Sequence, residues 1–218
     1  MPSYKTKALV LKKTKLGETD LVITLLDEEG IQRRAVAKGA RKPGSFLAAR
    51  LELYMLVEAQ FSTGRSLDIV TDARILETHA ACRSDIEHSA AAAVVVELAE
   101  KATAQYNTEP LLYAMTVAAL EQIGSAQGTA FVMISLACVL KICAALGVRP
   151  DADELFGIHK DLAKWIETLL NARFAELTEF HGDEYLPILR NLADFCKRWT
   201  SEHLEIKLKS LDFLKTLL

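Results

Sequence analysis

Two hydrophobic periods divide the chain. Up to about Glu77, apolar residues come in short runs rich in β-branched side chains, at residues 8–11, 21–26, 31–38, 53–61 and 67–76. The breaks fall at Gly17-Glu18, Glu29-Gly30, residues 39–44 and Thr63-Gly64-Arg65, where glycine permits tight turns. Five short strands in under eighty residues, with one longer connection near the middle, predict a small barrel. Strands this short must close on one another, because an open sheet of this size buries too little.

From Ser84 the period is helical. Residues 84–104 open with Ser84-Asp85-Ile86-Glu87, the spacing of a capping box, and continue through an alanine-rich face that lets neighbouring helices approach closely. Glu109-Pro110 predicts the next helix, to about Ile123, since proline is permitted in a first turn. Residues 129–146, closed by Gly147 and Pro150, form the most hydrophobic segment and predict the central helix. Further helices are expected over 160–174, 184–200 and 202–218. The fold class is therefore α+β, with a five-stranded barrel domain over 1–78 and an all-helical domain over 79–218.

Composition adds an asymmetry. The 218 residues carry 26 Lys+Arg and 29 Asp+Glu, a net charge of −3, which suits a soluble globular protein. Residues 1–78 carry a balance of +3, however, and residues 79–218 a balance of −6. A basic N-terminal half that meets a polyanion fits this split. The first apolar run stops at Lys12, too short for a signal peptide. The longest uncharged run, 122–140, reads as a loop and a buried helix rather than a membrane span. Cys82, Cys138, Cys143 and Cys196 form no C-x-x-C pair, which predicts reduced, mostly buried thiols in a cytoplasmic protein. His79 and Cys82 have ligand-like spacing but no second pair nearby, so no metal site is expected.

Enzyme motifs fail on inspection. Gly39-x-x-x-x-Gly44 has Ser45-Phe46 where a phosphate-binding loop needs Lys and then Ser or Thr. Glu18, Asp20, Asp27, Glu28 and Glu29 lie in or beside turns and read as exposed polar residues rather than an acid–base pair. The five histidines are scattered, and neither an enzyme nor a cofactor is expected.

The strongest local feature is basic. Arg33, Arg34, Lys38, Arg41 and Lys42 place five cations in ten residues without an acid. Lys5, Lys7, Lys12, Lys13 and Lys15 form a second group on the first strand. Fixed cations neutralise successive phosphates and release condensed counterions, an affinity that needs no base contacts. The candidate nucleic-acid-binding residues are Arg33, Arg34, Lys38, Arg41, Lys42, Lys13, Lys15 and Arg65. Strand alternation sends Arg34 and Lys38 to one face and Arg33 to the other. Tyr4, Phe46, Tyr54 and Phe61 are candidate stacking partners for bases. The same pattern suits a solvated hairpin with core aromatics, and charge alone leaves both readings open.

Longer motifs add a resemblance. Ala8-Leu9-Val10-Leu11, Leu16-Gly17-Glu18-Thr19-Asp20 and Thr24-Leu25-Leu26-Asp27-Glu28-Glu29-Gly30 resemble the opening of the bacterial RecO DNA-repair family. Ala37-Lys38-Gly39-Ala40-Arg41-Lys42 is similar to that family's next signature, and Leu208-Lys209-Ser210-Leu211-Asp212-Phe213-Leu214 to its C-terminal helix. The resemblance implies an oligonucleotide-binding (OB) barrel followed by a helical domain, in a non-enzymatic recombination mediator. Such proteins bind single- and double-stranded DNA and anneal complementary strands. With the partner RecR they help load the RecA recombinase onto strands coated by single-stranded-DNA-binding protein. The family's basic Lys-Gly-Ala-Arg segment falls on Lys38, Gly39, Ala40 and Arg41. Many members carry a four-cysteine zinc module after a segment matching Leu146-Gly147-Val148-Arg149-Pro150, whereas here Asp151-Ala152-Asp153-Glu154-Leu155-Phe156-Gly157 follows without cysteine. Two other readings stand beside this one: an adaptor whose barrel docks a protein partner, and an RNA-binding barrel protein.

Overall fold

Five strands, β1 (Ser3–Leu16), β2 (Asp20–Asp27), β3 (Gln32–Ala37), β4 (Leu56–Ser62) and β5 (Asp68–Glu77), close into a barrel in the order β1-β2-β3-β5-β4. The computed structural model describes residues 2–105, 109–150 and 160–218. All pairings are antiparallel except β3 with β5, which run parallel through Ala35↔Asp68 and Val36↔Ile69. Alternate residues such as Val10, Ile23, Leu25, Ala35, Val57 and Phe61 fill the interior. This is the OB-type barrel that the sequence predicts.

Two features depart from the sequence pattern. β1 runs for 14 residues, well beyond the apolar run at 8–11. Its first half pairs with β4 and its second with β2, and a register shift between Val10 and Lys12 bends it from one neighbour to the other. Polar residues flank the run because the strand ends face solvent. The second departure is a helix, α1 (Phe46–Arg50), inside the connection between β3 and β4. Leu47 and Leu51 are buried in the barrel core cluster, so the helix closes over that core.

The turn between β2 and β3 is built on a buried carboxylate. Asp27 is fully buried, not the exposed turn residue that its sequence neighbours suggest. Its Oδ1 accepts the backbone N–H groups of Glu29 (3.1 Å) and Ile31 (2.8 Å), and its Oδ2 accepts Arg33 Nε (2.7 Å). A buried charge needs such partners to offset its lost hydration.

Contacts along the chain separate two compact units, Met1–Ala80 with Thr103–Ala114, and Ala81–Ala102 with Met115–Leu218. The helices are α2 (Ile86–Gln105), α3 (Pro110–Ser125), α4 (Ala130–Ala145), α5 (Lys160–Asn171), α6 (Leu186–His203) and α7 (Lys209–Thr216). Within the second unit α4 is the most enclosed, with twelve buried residues from Ala130 to Cys143. Gly147, at φ +83°, ends it: Gly147 N–H donates to Ala144 O and Val148 N–H to Cys143 O. The uncharged run 122–140 is thus the end of α3, a turn and most of α4. The described residues contain no helix long and apolar enough to cross a membrane.

The helix ends correct the expected boundaries. α2 is capped by Asp85, whose Oδ1 accepts His88 N–H at 2.8 Å, rather than by a Ser84–Glu87 box. That bond, followed by the hydrogen bond from the His88 ring, holds the Asp85 carboxyl down at about 2. The helix expected over 160–174 stops at Asn171 and gives way to a 3₁₀ segment, Phe174–Glu179. The one expected over 202–218 begins only at Lys209, because Glu205 takes φ +57° and breaks the chain direction after α6. Residues 151–159, where the zinc module would be sought, lie outside the described residues.

Candidate nucleic-acid interface

The β1–β2 turn and the segment after β3 are joined into one ledge. Asp20, the first residue of β2, accepts Gly39 N–H at 2.8 Å and the Thr19 hydroxyl at 2.9 Å. Arg41 adds two bonds, its backbone N–H to Thr19 O and its guanidinium to Gly17 O, both at 2.8 Å. Gly39 sits at φ +64°, a conformation that a side chain would strain, so glycine is required where the chain leaves β3. The bond from Gly39 N–H, then that from Thr19, hold the Asp20 carboxyl below its ordinary range, and the charges of Lys38 and Lys42 add to the effect. One carboxylate thus organises the ledge that displays Lys38, Arg41 and Lys42.

The eight sequence candidates separate into groups. Arg34, on β3, and Lys38, just past its end, are both exposed, as alternation requires. Lys42, in the following turn, is exposed, and so is Lys15 near the end of β1. Lys15 pairs across to Leu21, and Leu21 to Ala37, which puts its backbone about 10 Å from the end of β3. Arg65 is exposed in the β4–β5 connection, at the other end of β3, because the parallel pair opens at Ala35↔Asp68. Among the described residues, Lys15, Arg34, Lys38, Lys42 and Arg65 hold no ion pair. The remaining three are already engaged: Arg41 in the ledge, Lys13 with Glu52 at 2.7 Å, and Arg33 with Asp27. Burial works against the Arg33 charge, but the hydrogen bond and charge of Asp27 outweigh it, and its pKa is raised.

The exposed cations therefore follow β3 and its connections over about 20 Å, the rise of about six base steps. The neighbouring strand adds nothing to this strip, because β2 is buried on both faces over Leu21 to Asp27.

Three of the four candidate stacking aromatics are structural. Phe61 lies inside the barrel and Tyr54 is buried. Tyr4 stacks on Phe61 at 5.0 Å, and its hydroxyl donates to Asp68 at 2.5 Å. Only Phe46 presents its ring, 52% exposed, with the Arg50 guanidinium 5.0 Å from its centre. Sequence reasoning missed Asp20 and Arg50. The Thr19-Asp20 pair beside Gly17 was the available signal for the first, as aspartate is the usual residue that ties a turn.

The cysteines do not suggest chemistry. All four are buried, and burial pushes the Cys82 thiol up to about 11 and the Cys143 thiol up to about 12. Buried His79 bonds to Tyr54 O at 2.7 Å through Nδ1. Among the described residues no three His, Cys, Asp or Glu side chains cluster to hold a metal.

A closed five-stranded barrel with a parallel β3–β5 pair, a helix before β4 and cations on its connections defines an OB-fold protein. The comparisons narrow that class. The family described as Recombination protein O N terminal matches residues 1–79, and Recombination protein O C terminal matches residues 83–164. The chain is 30% identical to the DNA repair protein RecO of Bifidobacterium longum, across 97% of this chain and 98% of that one. It is 35% identical to DNA repair protein RecO of Cutibacterium acnes over 69% of this chain, and 33% identical to that of Synechococcus elongatus over 68%. Those two matches span 63% and 56% of the relatives' lengths. The chain belongs to the RecO family.

Proposed function

We propose that this protein is a DNA-binding recombination mediator of DNA repair, acting in the cytoplasm without making or breaking covalent bonds. It holds single- and double-stranded DNA by the phosphates, promotes annealing, and with RecR helps load the RecA recombinase onto strands coated by single-stranded-DNA-binding protein. Family membership supports the repair role. The observation that carries the binding mode is the ledge: Lys38, Arg41 and Lys42 stand on a turn fixed by Asp20. Fixed cations lose little conformational freedom when a phosphate arrives.

A salt titration with single-stranded and duplex DNA tests this. Affinity should fall steeply as salt rises, and replacing Lys38, Arg41 and Lys42 by Ala should lower the log–log slope by about 0.7 to 0.9 for each phosphate left without its cation. Affinity that is flat in salt would favour an adaptor whose barrel docks a protein. Preference for RNA over matched DNA would favour an RNA-binding role, since only RNA offers a 2′-hydroxyl.

A further inference from the structure

We propose that Phe46 and Arg50 form a stacking platform for an unpaired nucleobase of single-stranded DNA, beside the phosphate-binding ledge. This rests on the DNA-binding reading above and adds to it a means of telling single strands from duplex.

A lone exposed apolar residue is ordinary on a protein surface. Phe46 differs in how it is held. It stands at the start of α1, whose Leu47 is buried and which leads into buried Leu51, so the backbone beneath the ring is anchored in the barrel core. One turn on, the Arg50 guanidinium lies 5.0 Å from the ring centre. Arg50 does not depend on Phe46 for this position: Asp72 Oδ1 accepts from it at 2.9 Å and Ala73 O at 3.0 Å. A planar cation fixed at the ring leaves the half-exposed remainder of Phe46 to solvent. Another flat π-system is the partner that such a surface accepts.

Position supplies the class of that partner. Phe46 follows Lys42 by four residues, through a turn closed by Ser45 N–H to Lys42 O at 3.1 Å. β3 and β5 run parallel from Val36↔Ile69, so Lys38 and the Asp72–Ala73 pair that holds Arg50 lie toward the same end of the barrel. A strand with phosphates on the ledge brings its bases within reach of the ring. In a duplex each base already stacks within the helix and the ring has nothing to take. Stacking reads no sequence, because every base has a π-face.

The test compares Phe46→Ala, Phe46→Leu and Phe46→Trp with the native chain, on a dT oligonucleotide and on a duplex of equal length at one low salt concentration. The Ala and Leu variants should bind the single strand about fivefold to a hundredfold more weakly. Their duplex affinity should be unchanged. Leu keeps the apolar bulk and removes the π-face, so an equal loss in both variants points to stacking. Phe46→Trp should retain binding, and the oligonucleotide should quench its emission beyond the change seen in the native protein, which has Trp165 and Trp199. Equal losses on single strand and duplex, or no loss on either, overturn the platform. If the Lys38, Arg41 and Lys42 triple variant loses both substrates while Phe46→Ala loses neither, only the platform fails. If the native chain binds neither substrate, the DNA-binding reading fails and takes the platform with it.

Discussion

Asp20 and Gly39, nineteen residues apart, are joined by a 2.8 Å hydrogen bond from the Gly39 backbone N–H to the Asp20 carboxylate. That bond makes one ledge out of two turns. Without it the segment after β3 would keep the Arg41 bonds to the β1–β2 turn, but Lys38 and Lys42 would lose their fixed spacing.

Asp20→Ala should therefore weaken DNA binding several-fold on single strand and duplex alike, although it removes no cation. Asp20→Asn, which keeps an acceptor oxygen, should recover most of the loss. The Asp20 pKa is depressed in the fold, so its contribution is present above the ordinary carboxylate range and is lost as pH falls through the lower, folded value. The Gly39 amide resonance should follow that titration, with a midpoint below the ordinary aspartate value. A midpoint at or above that value would mean that the bond does not form.

Arg33 and Arg34 are neighbours with opposite duties. Arg33→Ala removes the charged partner of the fully buried Asp27 carboxylate and should cost about 1 to 3 kcal/mol of stability, with little change in the salt slope. Arg34→Ala should leave stability within about 0.5 kcal/mol and lower the salt slope by about 0.7 to 0.9. Thermal melts and salt titrations of the two variants decide the matter. A reversed pattern would put Arg33 on the phosphate strip.

How far the sequence reaches is clear from these residues. Alternation in residues 31–38 correctly separates Arg34 and Lys38 from Arg33, because the side-chain period of a strand is fixed by its pleat, and the structure shows which face is the outer one. Five strands and the main helices were legible for the same reason: period and turn residues are local properties. What was not legible depends on distant partners. Asp27 looks like a solvated turn acid until its three donors are seen around it. Tyr4, Phe46, Tyr54 and Phe61 are equivalent as letters, and only barrel closure makes one a surface ring and Phe61 a core one. α1 is too short to show a period, and β1 outruns its apolar centre because its polar ends face solvent.

Cys82, Cys138, Cys143 and Cys196 should resist modification. All are buried, burial raises every one of their pKa values, and the thiolate is the reactive form. At pH 8, iodoacetamide should label none of the four in the native protein within an hour and all four in denaturant. Rapid native labelling at any of them, read by mass spectrometry, would show that its segment opens far more readily than its burial implies.

The C-terminal helix should depend on one carboxylate. Glu97, on α2, accepts Lys209 N–H at 3.1 Å and Ser210 N–H at 2.8 Å, which caps the first turn of α7 from another helix. Lys101 pairs with the same carboxylate at 2.6 Å. Eight residues are too few to hold a helix alone, so α7 relies on this cap and on buried Leu211 and Leu214. Burial disfavours the charge on Glu97, but the bonds from Lys101, Ser210 and Lys209 outweigh it and lower its pKa. The cap is therefore complete above the ordinary glutamate range and is lost as pH falls through the depressed value. Glu97→Ala should cost about 1 to 2 kcal/mol, the usual loss for a removed cap, and Glu97→Gln should cost less because one acceptor remains. In hydrogen exchange, Glu97→Ala should speed the amides of residues 209–216 while those of α4 keep their protection. Equal acceleration in α4 would show that Glu97 supports the whole helical unit rather than its last helix.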